Sequence, residues 1–222
     1  SFIATGKTGG NKWRDVYSHE GLLYFCPHQF WDIMVLEPAS QQVSFIATGK
    51  TGGNKWRDVY SHEGLLYFCP HQFWDIMVLE PASQQVSFIA TGKKDAAKWE
   101  GMCVHEGLLY FCPFNASDIM VLEPASQQVS FIATGKKGGQ GAVEPTWSGM
   151  CAHGGLLYFC PCHASDIMVL EPASQQVSFI AATGKKRSTS PSWSGMCAHG
   201  GLLYFCPWND MWDIMVLEPT PH

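Results

Sequence analysis

The 222-residue sequence lacks any run of about 18 apolar residues, the length a helix needs to cross a bilayer, so no membrane span is expected. Its first residues show no signal-peptide pattern, and none is expected from them. Basic residues are scarce: 14 Lys and Arg face 19 Asp and Glu, for a net charge of −5. A nucleic-acid partner needs a basic stripe, and this balance argues against one. The nine cysteines are odd in number and contain no C-x-x-C pair, which speaks against a disulfide framework and for a reducing, cytoplasmic compartment. There is no HExxH pair, no GxxxxGK[ST] frame and no Ser-His-Asp arrangement. "TGKTGG" and "TGKKGG" hold a GK pair without that frame and read as glycine-rich turns. No catalytic residue, cofactor or metal is expected.

What the sequence has is repetition. Residues 1–43 and 44–86 are identical, and three related units follow at 87–129, 130–177 and 178–222. A period in the low forties belongs to helical arrays or to propellers of four-stranded blades. Composition decides between them. "GLLYFCP" and "DIMVLEP" are short apolar runs closed by proline, and "VSFIAT" is β-branched and aromatic. None is long enough for a packed helix, and Gly or Pro brackets each one. "WRDVYSH" or "WSGMCAH" supplies a fourth short strand. We name the strands A (WSGMCAH), B (LLYFCP), C (DIMVLEP) and D (VSFIAT). Strand C is apolar on both faces, as a sheet packed between two neighbours requires. The expectation is an all-β, single-domain, five-bladed β-propeller of four-stranded antiparallel blades over residues 1–222. The sequence starts on a D strand, Ser1–Thr5, and ends after a C strand. Ser1–Thr5 is therefore expected to complete the last blade beside Met215–Leu217 and close the ring.

The stretch "LYFCPFNASDIMVLEPASQQVSFIATGK" resembles the YVTN type of β-propeller repeat and is similar in plan to NHL and other WD-like repeats. The resemblance covers nearly the whole chain. It departs in the Glu of "LEP" and in a Cys where small residues are common. It implies the propeller fold, and it implies little about function, since such repeats serve many binding and scaffolding roles. Independent drift would have blurred the identity of the first two units, which points to recent amplification or to engineering.

Five cysteines share one position at the end of strand B: Cys26, Cys69, Cys112, Cys160 and Cys206. Packed sheets lie roughly 10 Å apart, while a disulfide needs Cα atoms within about 7 Å. These five are expected to be free, buried thiols, and Cys162, in a BC loop, an exposed one. A histidine ends strand A in each unit: His19, His62, His105, His153 and His199. Three of them form C-x-H with Cys103, Cys151 and Cys197, a pair that could hold a soft metal. Tyr17 and Tyr60 break the pattern in the first two units, so a structural His bonded to a loop backbone is expected. Asp15 and Asp58 are copies of one residue, replaced by Gly101, Gly149 and Gly195 elsewhere. They offer no differentiated acid and base. The repeated Asp32, Asp75, Asp118, Asp166 and Asp213 read as loop caps.

The AB and CD turns hardly change between units, whereas the BC and DA loops do. In an up-and-down blade those two loops emerge at the same end. Variation is thereby concentrated where the BC loops place Phe30, Trp31, Phe73, Trp74, Phe114, Trp208 and Trp212, with His28, His71, Asn115, His163 and Asn209. Aromatic rings beside amides and imidazoles suit ligand and sugar sites. Trp13, Trp56, Trp99, Trp147 and Trp193 are expected to pack between blades instead. The sequence thus reads as a non-enzymatic, monomeric repeat scaffold or binding module. Its partner, of unknown identity, would be a glycan or a protein on the variable-loop face, and a lectin-like sugar binder with pockets between blades is the alternative.

Overall fold

Each repeat folds from its turns. In the first unit the AB hairpin has two central residues, Glu20 and Gly21, with φ of 48° and 80°. Positive φ at both positions is the type I′ turn, whose twist matches that of the strands it joins. It pairs His19 with Leu22. The CD turn is tied locally: Ser40 Oγ donates to Glu37 Oε2 at 2.6 Å and accepts from the Gln42 amide at 3.2 Å. The same two bonds recur at Ser83, Ser126 and Ser174.

The computed structural model describes residues 2–9, 12–52, 55–94, 98–136, 147–182, 193–208 and 213–219. Its first sheet holds β1 (Trp13–His19), β2 (Leu22–Pro27), β3 (Asp32–Glu37) and β4 (Gln42–Ala47). The second holds β5 (Trp56–His62), β6 (Leu65–Pro70), β7 (Asp75–Glu80) and β8 (Gln85–Ala90). The third holds β9 (Trp99–His105), β10 (Leu108–Pro113), β11 (Asp118–Glu123) and β12 (Gln128–Ala133). The fourth holds β13 (Trp147–His153), β14 (Leu156–Pro161), β15 (Asp166–Glu171) and β16 (Gln176–Ala181). The fifth holds β17 (Trp193–His199), β18 (Leu202–Pro207) and β19 (Met215–Leu217). Every sheet is an antiparallel meander in chain order. No helix occurs among the described residues. The chain packs as two compact units: Ser1–Ala96, with the first two blades, and Ala97–His222, with the other three.

The A and B strands carry a bulge that the repeat pattern does not announce. Trp13 pairs with Pro27, but the next pair is Val16 with Phe25, so Arg14 and Asp15 oppose a single residue. The other four blades repeat it. In the second unit the bulge contains Gly101, with φ of 102°. A Cβ there would lie 2.7 Å from the Gly149 Cα, so both conformation and space demand glycine.

Blades within a unit pack front to rear. In the first unit the front face of blade 1 (Tyr24, Cys26, Ile33, Val35, Ile46) meets the rear face of blade 2 (Trp56, Val59, Leu66, Phe68, Met77, Leu79). In the second unit Cys112, Ile119 and Val121 meet Trp147, Met150 and Phe159, and Tyr158, Cys160 and Ile167 meet Trp193, Leu203 and Phe205. Fully burying one such apolar side chain stabilises by about 1.5–3 kcal/mol. Strand C is buried on both faces, as its composition demands: Ile76, Met77, Val78 and Leu79 are all in the core.

Three expectations are corrected. The fifth sheet has three strands, and Phe2–Thr5 form none, with Phe2 fully exposed. The closing strand from Ser1–Thr5 is therefore not formed among the described residues. Its intended partner, β19, is only three residues long and offers a short ladder. Cys26, Cys69, Cys112 and Cys160 are free and buried as expected, but Cys206 is exposed, because no sheet of its unit lies in front of the fifth blade. Cys162 is buried rather than exposed. It follows Pro161 at the position of His28 and His71, which points inward at the root of the BC loop.

Candidate binding site

The DA segment builds the BC loop's support. Thr48 Oγ1 donates to the Trp31 carbonyl at 2.5 Å and accepts from the Lys50 amide at 3.3 Å. Thr91 repeats this on Trp74 at 2.6 Å, and Thr134 on Ser117 at 2.8 Å. The strand A tryptophans lock the same region from below. Their Nε1 groups donate to the carbonyls of Asp32, Asp75, Asp118 and Asp166 at 2.9–3.1 Å. Lys55, fully buried, donates from Nζ to the Phe30 carbonyl at 2.7 Å. Burial lowers its pKa, and Asp32 partly offsets that.

Two like clusters sit on this support. In blade 1, Phe30 packs on Trp13 (5.3 Å) and stacks with Trp31 (6.4 Å, 19°). Lys7 Nζ lies 5.0 Å from the Phe30 ring and 4.5 Å from Phe45. In blade 2, Phe73 packs on Trp56 (5.1 Å), and Lys50 Nζ lies 4.4 Å from Phe88 and 3.8 Å from Asp75 Oδ2. Lys94 Nζ lies 5.8 Å from the Trp74 ring. Such cation–π contacts contribute about 0.5–1 kcal/mol at exposed sites. Trp31 and Trp74 themselves stay 56% and 53% exposed, each an indole presented to solvent on a fixed loop.

The remaining residues of the expected site divide by depth. Trp208 is exposed, while Phe30, Phe73, Phe114, Asn115 and His163 are half-buried. Burial lowers the His163 pKa. His28 and His71 are buried under the loops rather than on the surface. Their rings meet edge to face at 6.4 Å, and His28 Nδ1 lies 3.2 Å from the Trp56 carbonyl. They sit at the loop roots. Asn209 and Trp212 lie outside the described residues. Motif reasoning missed the lysines. The signal was the constant Lys of "TGK", which the structure places over strand D phenylalanines. Charge follows the same geometry. In residues 1–96 every Lys and Arg lies in a DA segment or at the start of β1 or β5. The AB and CD ends of those blades carry Glu20, Glu37, Glu63 and Glu80 with no Lys or Arg among them.

The aspartates of strand A in the first two blades hold a backbone amide. Val59 N donates to Asp58 Oδ1 at 2.9 Å and to Asp15 Oδ2 at 3.2 Å, bridging the two bulges. Two of the strand A histidines lie against side chains: His19 Nδ1 is 3.0 Å from Ser61 Oγ, and His62 Nε2 is 3.9 Å from Glu63 Oε1. Among the described residues no group of three or more His, Cys, Asp or Glu is arranged to hold a metal ion. Among them no helix long and apolar enough to cross a membrane is present.

No family model matches the sequence, and no curated protein is similar to it by sequence. Solved structures are similar by shape. Virginiamycin B lyase from Staphylococcus aureus superposes with a TM-score of 0.71 at 13% identity, covering 93% of this chain and 70% of the lyase. The chain is a β-propeller repeat protein. Other propellers it resembles include a chain of a nidogen/laminin complex (TM-score 0.62, 13% identity, 90% and 72% covered). An auxiliary nutrient binding protein from Bacteroides thetaiotaomicron also superposes (0.63, 16%, 95% and 55%). A lyase and a nutrient-binding protein share this shape, so the propeller alone does not assign an activity.

Proposed function

We propose that this propeller is a non-enzymatic binding module that holds a carbohydrate at the BC loops of its first two blades. The observation that carries the reading is the pair of solvent-facing indoles, Trp31 and Trp74, on loops made rigid by Phe, Thr and Trp contacts. An indole stacks on the CH-rich face of a sugar at little conformational cost. The lysines around them, in a chain of net negative charge, favour sugars bearing a carboxylate or sulfate over neutral ones. The carboxylates of Asp15 and Asp58 accept from a backbone amide, which supports a structural and not a catalytic role for them.

Each site would be weak, and two equivalent sites would act together on a surface. The test is retention on immobilised neutral and acidic glycans, with tryptophan fluorescence as a second readout. The double variant Trp31→Ala and Trp74→Ala is expected to lose retention on an acidic glycan surface by about two orders of magnitude with its melting temperature unchanged. Free monosaccharide binding is expected to fall far less. A parent protein that retains no glycan overturns the reading, as does a double variant that binds like the parent.

A further inference from the structure

The faces that join blades within each unit recur, uncovered, at two places. The front face of blade 4 buries Tyr158, Cys160 and Ile167 against blade 5. The front face of blade 5 has the same residues, yet Cys206 is exposed and Ile214 is 62% exposed. Tyr204, Cys206 and Ile214 line an apolar hollow of about 450 Å³ with Met196, Cys197 and Phe205. The rear face of blade 1 is likewise open. Its Val16 is 46% exposed, whereas Val59, the same residue in blade 2, is buried at 1%. Trp13, Leu23 and Phe25 are half-buried, whereas Trp56, Leu66 and Phe68 are fully buried.

We propose that the open front face of blade 5 is the docking site for the rear face of blade 1 in a second copy of this chain. The interface is one the molecule already makes between blades 1 and 2, 3 and 4, and 4 and 5. In the first and last of those, the strand B thiol meets the strand A backbone of the next blade. Cys26 Sγ lies 3.7 Å from the Asp58 carbonyl, and Cys160 Sγ lies 3.4 Å from that of Gly195. By the same register Cys206 meets the Asp15 carbonyl of the second copy, and that copy's Val16 enters the hollow. The contact joins two different faces, so each chain keeps one of each kind free. Association runs head to tail, into a ring if the rotation closes and into a fibre if it does not. This replaces the monomer that the sequence suggests.

The test is the mass of the 222-residue protein in solution, by sedimentation and light scattering, with the alkylation rate of Cys206 alongside. Val16→Arg and Ile214→Arg alter exposed side chains and leave each chain's own core intact. The parent is expected to form concentration-dependent oligomers in which Cys206 reacts several-fold more slowly than in dilute solution. Either variant alone is expected to stay monomeric. Mixed, the two are expected to form a one-to-one pair and nothing larger, because each retains the face the other lacks. A parent that stays monomeric at every concentration overturns the proposal. If Cys206 is then shielded, the face is covered from within its own chain. If it is reactive, the face is open. Variants that fail to pair on mixing overturn it as well.

Discussion

Blades 1 and 2 are the same 43 residues, and they differ in what they bury. Val59 is buried and Val16 is half in solvent, and Trp56 is sealed where Trp13 is not. Their internal hydrogen bonds match: the indole donates to the carbonyl of Asp32 in one blade and Asp75 in the other, both at 3.1 Å. Local structure therefore belongs to the repeat, and burial belongs to the neighbour. Blade 2 has the front face of blade 1 against its rear, while no sheet among the described residues of the first unit lies behind blade 1. This is the logic of repeat arrays, in which stability divides into a term for each repeat and a term for each interface.

The largest expected effect sharpens that contrast directly. Trp56→Ala leaves a large cavity in a filled interface and is expected to cost about 3–5 kcal/mol by chemical denaturation. Trp13→Ala, the same change in the same sequence, is expected to cost less than half as much. Equal losses would break the comparison and place the energy within the blade. A second pair tests the idea among the glycines of the second unit. Gly101→Ala adds a Cβ against the Gly149 backbone, and Gly195→Ala adds one with nothing within 4 Å, both at φ near the left-handed region (102° and 91°). Backbone strain alone is expected to cost Gly195→Ala about 1 kcal/mol, and the added clash to raise Gly101→Ala to about 2–3 kcal/mol.

The smallest effect is chemical. β13 and β17 are both WSGMCAH, and Cys151 is half-buried where Cys197 is exposed. Burial first, then the neighbouring Cys197, pushes the Cys151 thiol up to about 11. The thiolate is the reactive form, so alkylation at pH 8 is expected to label Cys197 well before Cys151, the gap narrowing as pH nears 11. The folded chain holds the Cys151 proton after an unfolded chain, with its thiol near 9, has lost it. Its contribution to stability is therefore full below pH 9 and declines as pH rises from 9 toward 11. Simultaneous labelling of the two cysteines at pH 8 would contradict the difference in burial.

Much of this architecture is legible in the amino-acid sequence. The bracketed apolar runs mark the strands, and the two-sided apolarity of "DIMVLEP" announces sheets packed on both faces. The cysteine spacing speaks against disulfides, and Trp56, Trp147 and Trp193 pack between blades as expected, whereas Trp13 is only half-buried on the rear face of blade 1. What is not legible depends on neighbours. The depth of His28, His71 and Cys162 follows from a loop root that turns inward, which composition does not encode. The exposure of Cys206 follows from the absence, within its unit, of a covering sheet. The lysines over Phe45 and Phe88 lie several strands away in sequence, so the motif read as a turn hides a contact. The bulge of strand A escapes notice because Arg-Asp and Ser-Gly fill it with equal ease by different means, one with carboxylates on an amide and the other with backbone freedom.

The meander order of the sheets bears on how such a chain finds its fold. Each strand pairs only with its neighbours in sequence, across turns of two to four residues or one modest loop. Contacts that local form early, because closing a short loop loses little entropy. A chain containing two copies of the same 43 residues faces a hazard of mistaken identity, since the second copy's β6 could pair with β1 or β3 as well as β2 does. Nearest-neighbour pairing removes the hazard by speed: each blade is assembled from its own hairpins before a more distant double can compete. Identical repeats remain distinguishable by the order in which they fold.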